Sequence, residues 1–152
     1  MKMKTVFYFV PMIIMMVVIF SFSAQPANES SEQSSFIVSL ITKTDIGAAL
    51  ARKTDNLELI VRKLAHFSEY GFFAVTVLFG AAHTAINRKR LYPLCECIAF
   101  LYACSDEIHQ YFVPGRSMAF TDVCIDSAGA LFWLVIVYFV MKLINRRTRK
   151  RN

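Results

Sequence analysis

The sequence predicts an all-α membrane protein, a single bundle of about four transmembrane helices. Hydrophobic residues make up 56% of its 152 residues, well above the share that a soluble domain needs. Four apolar segments carry this excess, and each is close to the roughly 20 residues that a helix needs to cross about 30 Å of hydrocarbon. The segments are 6–22, 64–86, 91–112 and 123–144.

Basic residues are divided unequally between the two sides of this topology. Eleven of the 17 lysines and arginines lie before the first segment, between the second and third, or from Lys142 at the end of the fourth segment onward. The positive-inside rule therefore predicts that both termini are cytoplasmic and that the first and third connections face outward. The net charge of +6, concentrated in the tail, indicates contact with anionic lipid headgroups and not with nucleic acid.

The first segment has two interpretations. Lys2 and Lys4 before an apolar run, with Ser23 and Ala24 after it, also describe a secretory signal peptide. The run is somewhat long for the apolar part of a signal peptide, which favours a retained helix. The orientation of the other three helices is the same in both cases.

The connection between the first two segments is long and changes in composition. Residues 25–35 are polar and rich in serine and glutamate, which predicts an exposed loop. Residues 36–63 place apolar side chains three or four apart, which predicts one or two short helices lying in the interface on the outer side of the membrane. Asp55 and Glu58 have the spacing of a capping box and predict a helix that starts near Asp55 and continues into the second segment.

Polar residues of the last three segments fall at one depth. They lie where the second segment begins, where the third ends and where the fourth begins, and the topology brings these three points to the outer boundary. Several are three or four residues apart and so share a helix face. The candidate pocket residues are His66, Glu69, Asp106, Glu107, His109, Gln110, Arg116, Asp122 and Asp126.

These residues predict a polar pocket that opens outward. A charge facing lipid is expensive, so such side chains usually face the bundle interior or a water-filled cavity. Arg116 is then available as a counter-ion, or as a two-pronged clamp for a phosphate or carboxylate. Imidazoles and carboxylates can bind a divalent metal and can also act as general acids and bases. The spacing matches no established catalytic signature, so catalysis and metal content both stay open.

Individual members of the set also have structural explanations. His66 and Glu69 are equally well explained as a hydrogen-bonding pair between helices. Asp122 fits an acidic residue favoured by the dipole at a helix N-terminus. Glu96, which stands apart from the others within the third segment, is expected to extend toward the inner boundary.

Three stretches of the sequence resemble the VanZ-like family. They are K-L-A-H-F-S-E-Y from Lys63, S-D-E-I-H-Q-Y-F-V-P-G-R from Ser105 and D-V-C-I-D-S-A-G from Asp122. The resemblance spans nearly the whole chain and implies one VanZ-like membrane domain over 1–152, in a multi-pass protein of the bacterial cell envelope. The namesake of that family is associated with resistance to the glycopeptide antibiotic teicoplanin. Many members carry Asn where this chain has Asp126, and the additional carboxylate favours a metal or cation site.

These residues and the resemblance favour two functions over a third, transport, for which a single four-helix unit would need to form an oligomer. The first is a protein of the bacterial cytoplasmic membrane that changes glycopeptide susceptibility, without turnover, by binding or shielding a cell-wall or lipid-linked surface component. The second is a membrane-embedded enzyme, with or without a metal ion, that acts on a lipid or polyprenyl-linked phosphate. Membrane lipids are the expected partners, and a divalent metal is the one cofactor that the residues suggest.

Overall fold

The chain folds into a bundle of helices joined by short connections. The computed structural model describes residues 3–54 and 56–151, with side chains over 5–54 and 56–148. Within these ranges every regular element is a helix, which confirms the predicted all-α class. In chain order the helices are α1 (Met3–Phe7), α2 (Val10–Ser23), α3 (Ala27–Ile41), α4 (Asp45–Ala51), α5 (Leu57–Ala82), α6 (Arg88–Gln110) and α7 (Phe120–Arg151).

Three stretches are long and apolar enough to cross a membrane. They are Thr5–Ser23, which joins α1 and α2, then Leu57–Ala82 and Phe120–Thr148. Helix α6 is also long, at 23 residues. It is less apolar than the other three, because it carries Glu96 in its middle and Asp106 and Glu107 near its end.

Helices α5 and α7 form the closest pair in the bundle. A Cβ atom at Gly129 would overlap the backbone of Phe67, and one at Gly71 would overlap the ring of Trp133. Small residues at these two positions therefore let the helices approach closely, as is common between membrane helices. Helix α6 packs against both α5 and α7, and α2 packs against α5 and α6.

The outer surface of the bundle is strongly apolar. Large side chains such as Ile14, Val17, Leu101, Phe132 and Phe139 are at least half exposed. Continuous apolar surface on this scale is unusual in a soluble monomer and typical of helices that contact lipid. The surface and the three long helices together fit a membrane protein.

The polar stretch 25–35 is helical, so the prediction of an exposed loop there is wrong. Pro26 precedes the first turn of α3, and the backbone N–H of Ala27 donates to the carbonyl of Pro114 at 3.2 Å. Ser30 and Ser34, one turn apart, are buried, and α3 packs against α5. The small serine side chains allow α3 to pack closely against α5. The polarity of the sequence alone does not predict this packing.

The starts of α4 and α5 agree with two predictions about the first connection. α4 provides a second short helix before the second span, and α5 begins at Leu57, close to the predicted start. Asp55, the predicted capping residue, lies outside the described residues. So do Lys2 and the side chains of Lys4, Arg149, Lys150 and Arg151, on which the topology prediction partly rests.

Candidate functional site

Four helices bring polar side chains together at one end of the bundle, which we call the site end. Here the C-terminal parts of α2 and α6 meet the N-terminal parts of α5 and α7. The site end contains Ser23, His66, Glu69, Tyr70, Asp106, Gln110, Arg116 and Asp126. Antiparallel packing of consecutive helices accounts for this convergence.

Asp106 lies at the centre of a buried hydrogen-bond network. Its carboxylate is 3% exposed, and its Oδ2 atom accepts from the Ser23 hydroxyl at 2.8 Å and from the Gln110 amide nitrogen at 3.0 Å. Gln110 lies one turn further along α6, whereas Ser23 is the last residue of α2. Both donors act on the same oxygen and so fix the orientation of the carboxylate.

Arg116 supports this network from the turn after α6. Its Nη1 donates to the Gln110 side-chain oxygen at 2.8 Å, and its Nε donates to the carbonyl of Gln25 at 3.2 Å. Its Nη2 reaches the carbonyl of Phe22 at 3.5 Å. The turn depends on Gly115, whose φ of 75° lies in the left-handed region that favours glycine. Partial burial lowers the pKa of the Arg116 guanidinium, which still stays charged at neutral pH.

The partners of Arg116 differ from those expected. The expected partners were a carboxylate or a ligand phosphate, but among the described residues the guanidinium reaches the carboxylate of Asp106 only through Gln110. The physical reason is the end of α2, whose last carbonyls have no partner within the helix and attract a cation. With its donors directed at protein oxygens, Arg116 gives no support to a clamp for a substrate phosphate.

Asp126 is the least satisfied of the buried side chains. It is fully buried on α7, and neither carboxylate oxygen has a hydrogen-bond partner among the described residues. The Nδ1 atom of His66 lies 3.7 Å from Asp126 Oδ1, beyond hydrogen-bond distance. An isolated buried carboxylate is costly, so its position requires an explanation.

His66, Asp106 and Asp126 form a compact trio from three different helices. One nitrogen or oxygen atom from each lies within 4.8 Å of the others. The hydroxyl of Tyr70, which is fully buried, lies close to the Asp106 carboxylate without forming a hydrogen bond of normal geometry. The trio has the donor types that bind divalent transition metals.

The chain also matches a protein-family model. The model is that of VanZ/LLP1, and the match covers residues 7–142, nearly the whole chain. The chain belongs to the VanZ/LLP1 family. This confirms the resemblance recognised in the sequence, and the matched range includes every candidate residue. Comparison with curated proteins and with solved structures finds no match.

The other candidate residues of this VanZ/LLP1 chain surround the trio without joining it. Glu107 accepts from the backbone N–H of Ala119 at 2.8 Å and so holds the segment that leads into α7. Asp122 pairs with Lys63 at the partly exposed rim. Its role there is that of an ion-pair partner at the start of a helix.

His109 and Glu69 also lie apart from the trio. The His109 ring stacks on Phe20 with 4.4 Å between centroids, although the spacing had placed it on the same face as Asp106. Three residues span about 300° of helix rotation, so two such side chains are offset by about 60° and can contact different neighbours. Glu69 is half-buried, and no described residue forms a hydrogen bond with it.

The trio is enclosed by helices, in contrast to the open pocket that was predicted. Asp106, Gln110 and Asp126 are each less than 5% exposed, and the side chain of His66 is 21% exposed. A surface groove does exist near this end, between α3 and the start of α5. Its lining residues are Ser31, Ser34, Val38, Asn56, Leu57, Glu58, Leu59 and Arg62.

Sequence reasoning missed three residues of this arrangement. Ser23 and Tyr70 contribute to the buried site, and Lys63 pairs with Asp122. Lys63 and Tyr70 lie within the stretch from Lys63 that resembles the family, which was the available signal for these two. The chemistry of these three side chains gave no signal of a site, because a serine, a tyrosine and a lysine are common near helix ends at a membrane boundary.

Proposed function

We propose that this VanZ/LLP1 protein is a multi-pass protein of the bacterial cytoplasmic membrane that reduces susceptibility to teicoplanin-type glycopeptides from its outer face. In this proposal residues 1–152 form one domain, α6 is a fourth span, both termini are cytoplasmic and the site end faces outward. The protein acts without turnover, by binding or shielding a cell-wall or lipid-linked surface component.

The length and packing of α6 support its role as a fourth span. Its 23 residues extend about 34 Å at 1.5 Å per residue, enough to cross the hydrocarbon. Asp106 and Glu107 are buried within the bundle, so these charges do not face lipid. The helix packs against α2, α5 and α7, which accounts for its low hydropathy.

The distribution of charge supports the orientation. The end of the bundle opposite the site end, which we call the basic end, comprises the turn between α5 and α6 and the neighbouring turns of α1 and α7. Exposed Arg88, Lys89 and Arg90 begin α6 directly after this turn, and α7 continues past it with exposed Lys142 and Arg146. The positive-inside rule places such an end in the cytoplasm.

Exposed apolar side chains on α3 and α4 support a location in the interface on the outer side. Phe36 is 65% exposed and Ile46 is 84% exposed, although both lie in short helices with polar neighbours. Contact with the boundary between headgroups and acyl chains would bury these side chains. The groove between α3 and α5 then lies on the same side as the site end.

The observation that carries the proposed role is the convergence of buried polar residues at the end away from the basic tail. A buried network that costs free energy to assemble is expected where a membrane protein has a function. The adjacent groove, lined by Asn56, Glu58 and Arg62, provides polar groups for contact with a surface component.

A susceptibility assay tests this proposal. In a glycopeptide-sensitive host, expression of the wild type is expected to raise the inhibitory concentration of teicoplanin, and Asp106→Asn and Glu69→Gln are expected to remove that increase. Lys89→Ala, at the exposed basic end, is the matched control and should behave as the wild type. If the two carboxylate variants reach normal membrane levels and protect as well as the wild type, the proposed role of the site end is wrong.

A further inference from the structure

Four of the six buried side-chain atoms that lack a hydrogen-bond partner among the described residues lie in one small region of the bundle, and the other two are Glu96 Oε2 and His109 Nε2. His66 Nδ1, the Tyr70 hydroxyl and both carboxylate oxygens of Asp126 are buried and have no hydrogen-bond partner among the described residues. Native proteins contain few such atoms, and each requires an explanation. The unsatisfied atoms of His66, Tyr70 and Asp126 share one location, which indicates one common partner that bonds to several of them.

The geometry of the trio indicates that this partner is a cation. A tetrahedral metal ion with ligand distances of about 2.0–2.2 Å holds its ligand atoms about 3.3–3.6 Å apart. One candidate ligand atom from each of His66, Asp106 and Asp126 lies within 4.8 Å of the other two. The remaining difference is within the reach of side-chain rotation, because the three residues project from separate helices toward one point.

The surroundings of Asp106 resemble those of a metal ligand. Ligating carboxylates are usually held by hydrogen bonds from a second layer of residues. The Oδ2 of Asp106 accepts from Ser23 and Gln110, and Gln110 in turn accepts from Arg116. This chain of contacts orients the carboxylate before any ligand arrives.

Protonation of His66, in place of a bound cation, accounts for fewer of these unsatisfied atoms. A protonated imidazole would attract Asp126 Oδ1, but their separation of 3.7 Å is too long for a hydrogen bond. The second carboxylate oxygen of Asp126 would still have no partner among the described residues. One cation among the three side chains can satisfy several of these atoms at once.

We propose that His66, Asp106 and Asp126 bind one divalent transition-metal ion between α5, α6 and α7. One imidazole with two carboxylates suits Zn²⁺ or Mn²⁺ better than Mg²⁺ or Ca²⁺, which prefer oxygen ligands alone. His66, whose side chain is 21% exposed, is the most accessible of the three proposed ligands. The site stands independently of the proposed role in glycopeptide susceptibility.

Metal content of the purified full chain tests the site directly. The protein is prepared in detergent with a tag that lacks histidine, stripped with a chelator and reloaded with ZnCl₂ or MnCl₂. We expect about one ion per chain by elemental analysis, and a higher unfolding temperature after reloading. Loading with MgCl₂ or CaCl₂ should give neither effect.

Two variants on α7 form a matched pair. Asp126→Asn removes one ligand charge and should weaken Zn²⁺ binding by more than the roughly 10–100-fold that loss of an outer partner costs. Asp122→Asn makes the same change one turn earlier, where the carboxylate pairs with Lys63, and should bind Zn²⁺ as the wild type does. Retention of Zn²⁺ by Asp126→Asn would overturn the proposal.

The four cysteines require their own control, because thiolates also bind Zn²⁺. Cys95, Cys97, Cys104 and Cys124 are all free. A variant with all four replaced by serine should keep its metal, and loss of the metal in that variant would assign it to the cysteines and overturn the proposal. If Asp126→Asn does not fold, His66→Gln at the partly exposed ligand gives the same comparison. Failure of the wild type to bind either transition metal also overturns the proposal, whatever the susceptibility assay shows.

Discussion

The two ends of the bundle hold ionisable side chains in opposite ways. At the basic end Arg88, Lys89 and Arg90 are exposed, and Lys142 lies 5.6 Å from the centre of the Tyr138 ring. At the site end Asp106 and Asp126 are buried, and several polar atoms around them have no hydrogen-bond partner among the described residues. A single substitution should therefore have little effect at the basic end and a large effect at the site end.

Two histidines illustrate the difference. At the basic end, the His83 ring stacks on Tyr8 with 3.7 Å between centroids, and its Nδ1 lies 2.7 Å from the carbonyl of Phe79. Packing and one hydrogen bond account for this side chain. At the site end, His66 has a buried nitrogen without a partner beside a carboxylate. Similar residues near helix ends thus have a structural role in one place and a candidate ligand role in the other.

The first prediction concerns which end faces outward, and its expected effect is all or none. On a cysteine-free background, Gln33→Cys near the site end should react with an impermeant thiol reagent in intact cells. Arg146→Cys near the basic end should react only after the cells are opened. Both positions are exposed in the structure, so access is not limited by the fold. The reverse pattern would place the site end in the cytoplasm.

The second prediction compares the two ends by stability. Asp106→Ala leaves the buried Ser23 and Gln110 donors without their acceptor, and should lower the free energy of unfolding by about 2–5 kcal/mol. Lys89→Ala at the basic end should change it by less than about 0.5 kcal/mol. The fluorescence of Trp133, the single tryptophan, reports unfolding because its ring packs between α5 and α7 at Gly71. Equal effects of the two substitutions would remove the contrast between the ends.

The third prediction concerns Arg116 at the edge of the site end. Its guanidinium donates to three separate oxygens, of Phe22, Gln25 and Gln110. A lysine ammonium cannot reach all three of these separated oxygens. Arg116→Lys should therefore lose most of the free energy of unfolding that Arg116→Ala loses, about 1–3 kcal/mol. Thermal unfolding of the two variants side by side provides the measurement. A lysine variant as stable as the wild type would reduce Arg116 to a general interfacial charge.

The fourth prediction has the smallest effect and the opposite sign. In chelator-treated protein, Asp126→Asn should raise the free energy of unfolding by about 1 kcal/mol, because it removes a buried charge that lacks a partner. Asp122→Asn should not stabilise the protein, since it loses the ion pair with Lys63. Chemical unfolding with and without chelator measures both. A loss of stability in the chelated Asp126→Asn protein would mean that the carboxylate is already well bonded.

Much of the fold could be predicted from local sequence. The apolar segment 123–144 lies inside α7, segment 91–112 largely coincides with α6, and the family match agrees with the recognised motifs. The polar stretch 25–35 was misassigned because its burial depends on packing against α5, which leaves no trace in hydropathy. His109 was placed with Asp106 on spacing alone, but its ring packs against α2.

Sequence alone determined that this protein is a helical membrane protein of the VanZ/LLP1 family with polar residues near the ends of its apolar segments, because hydropathy, charge and motif are properties of neighbouring residues. Only the tertiary structure decided which of those residues meet. Ser23 and Asp106 are 83 positions apart, yet they form a hydrogen bond of 2.8 Å. Their meeting depends on the rotation and register of each helix, which close packing at positions such as Gly129 sets and which no local pattern encodes.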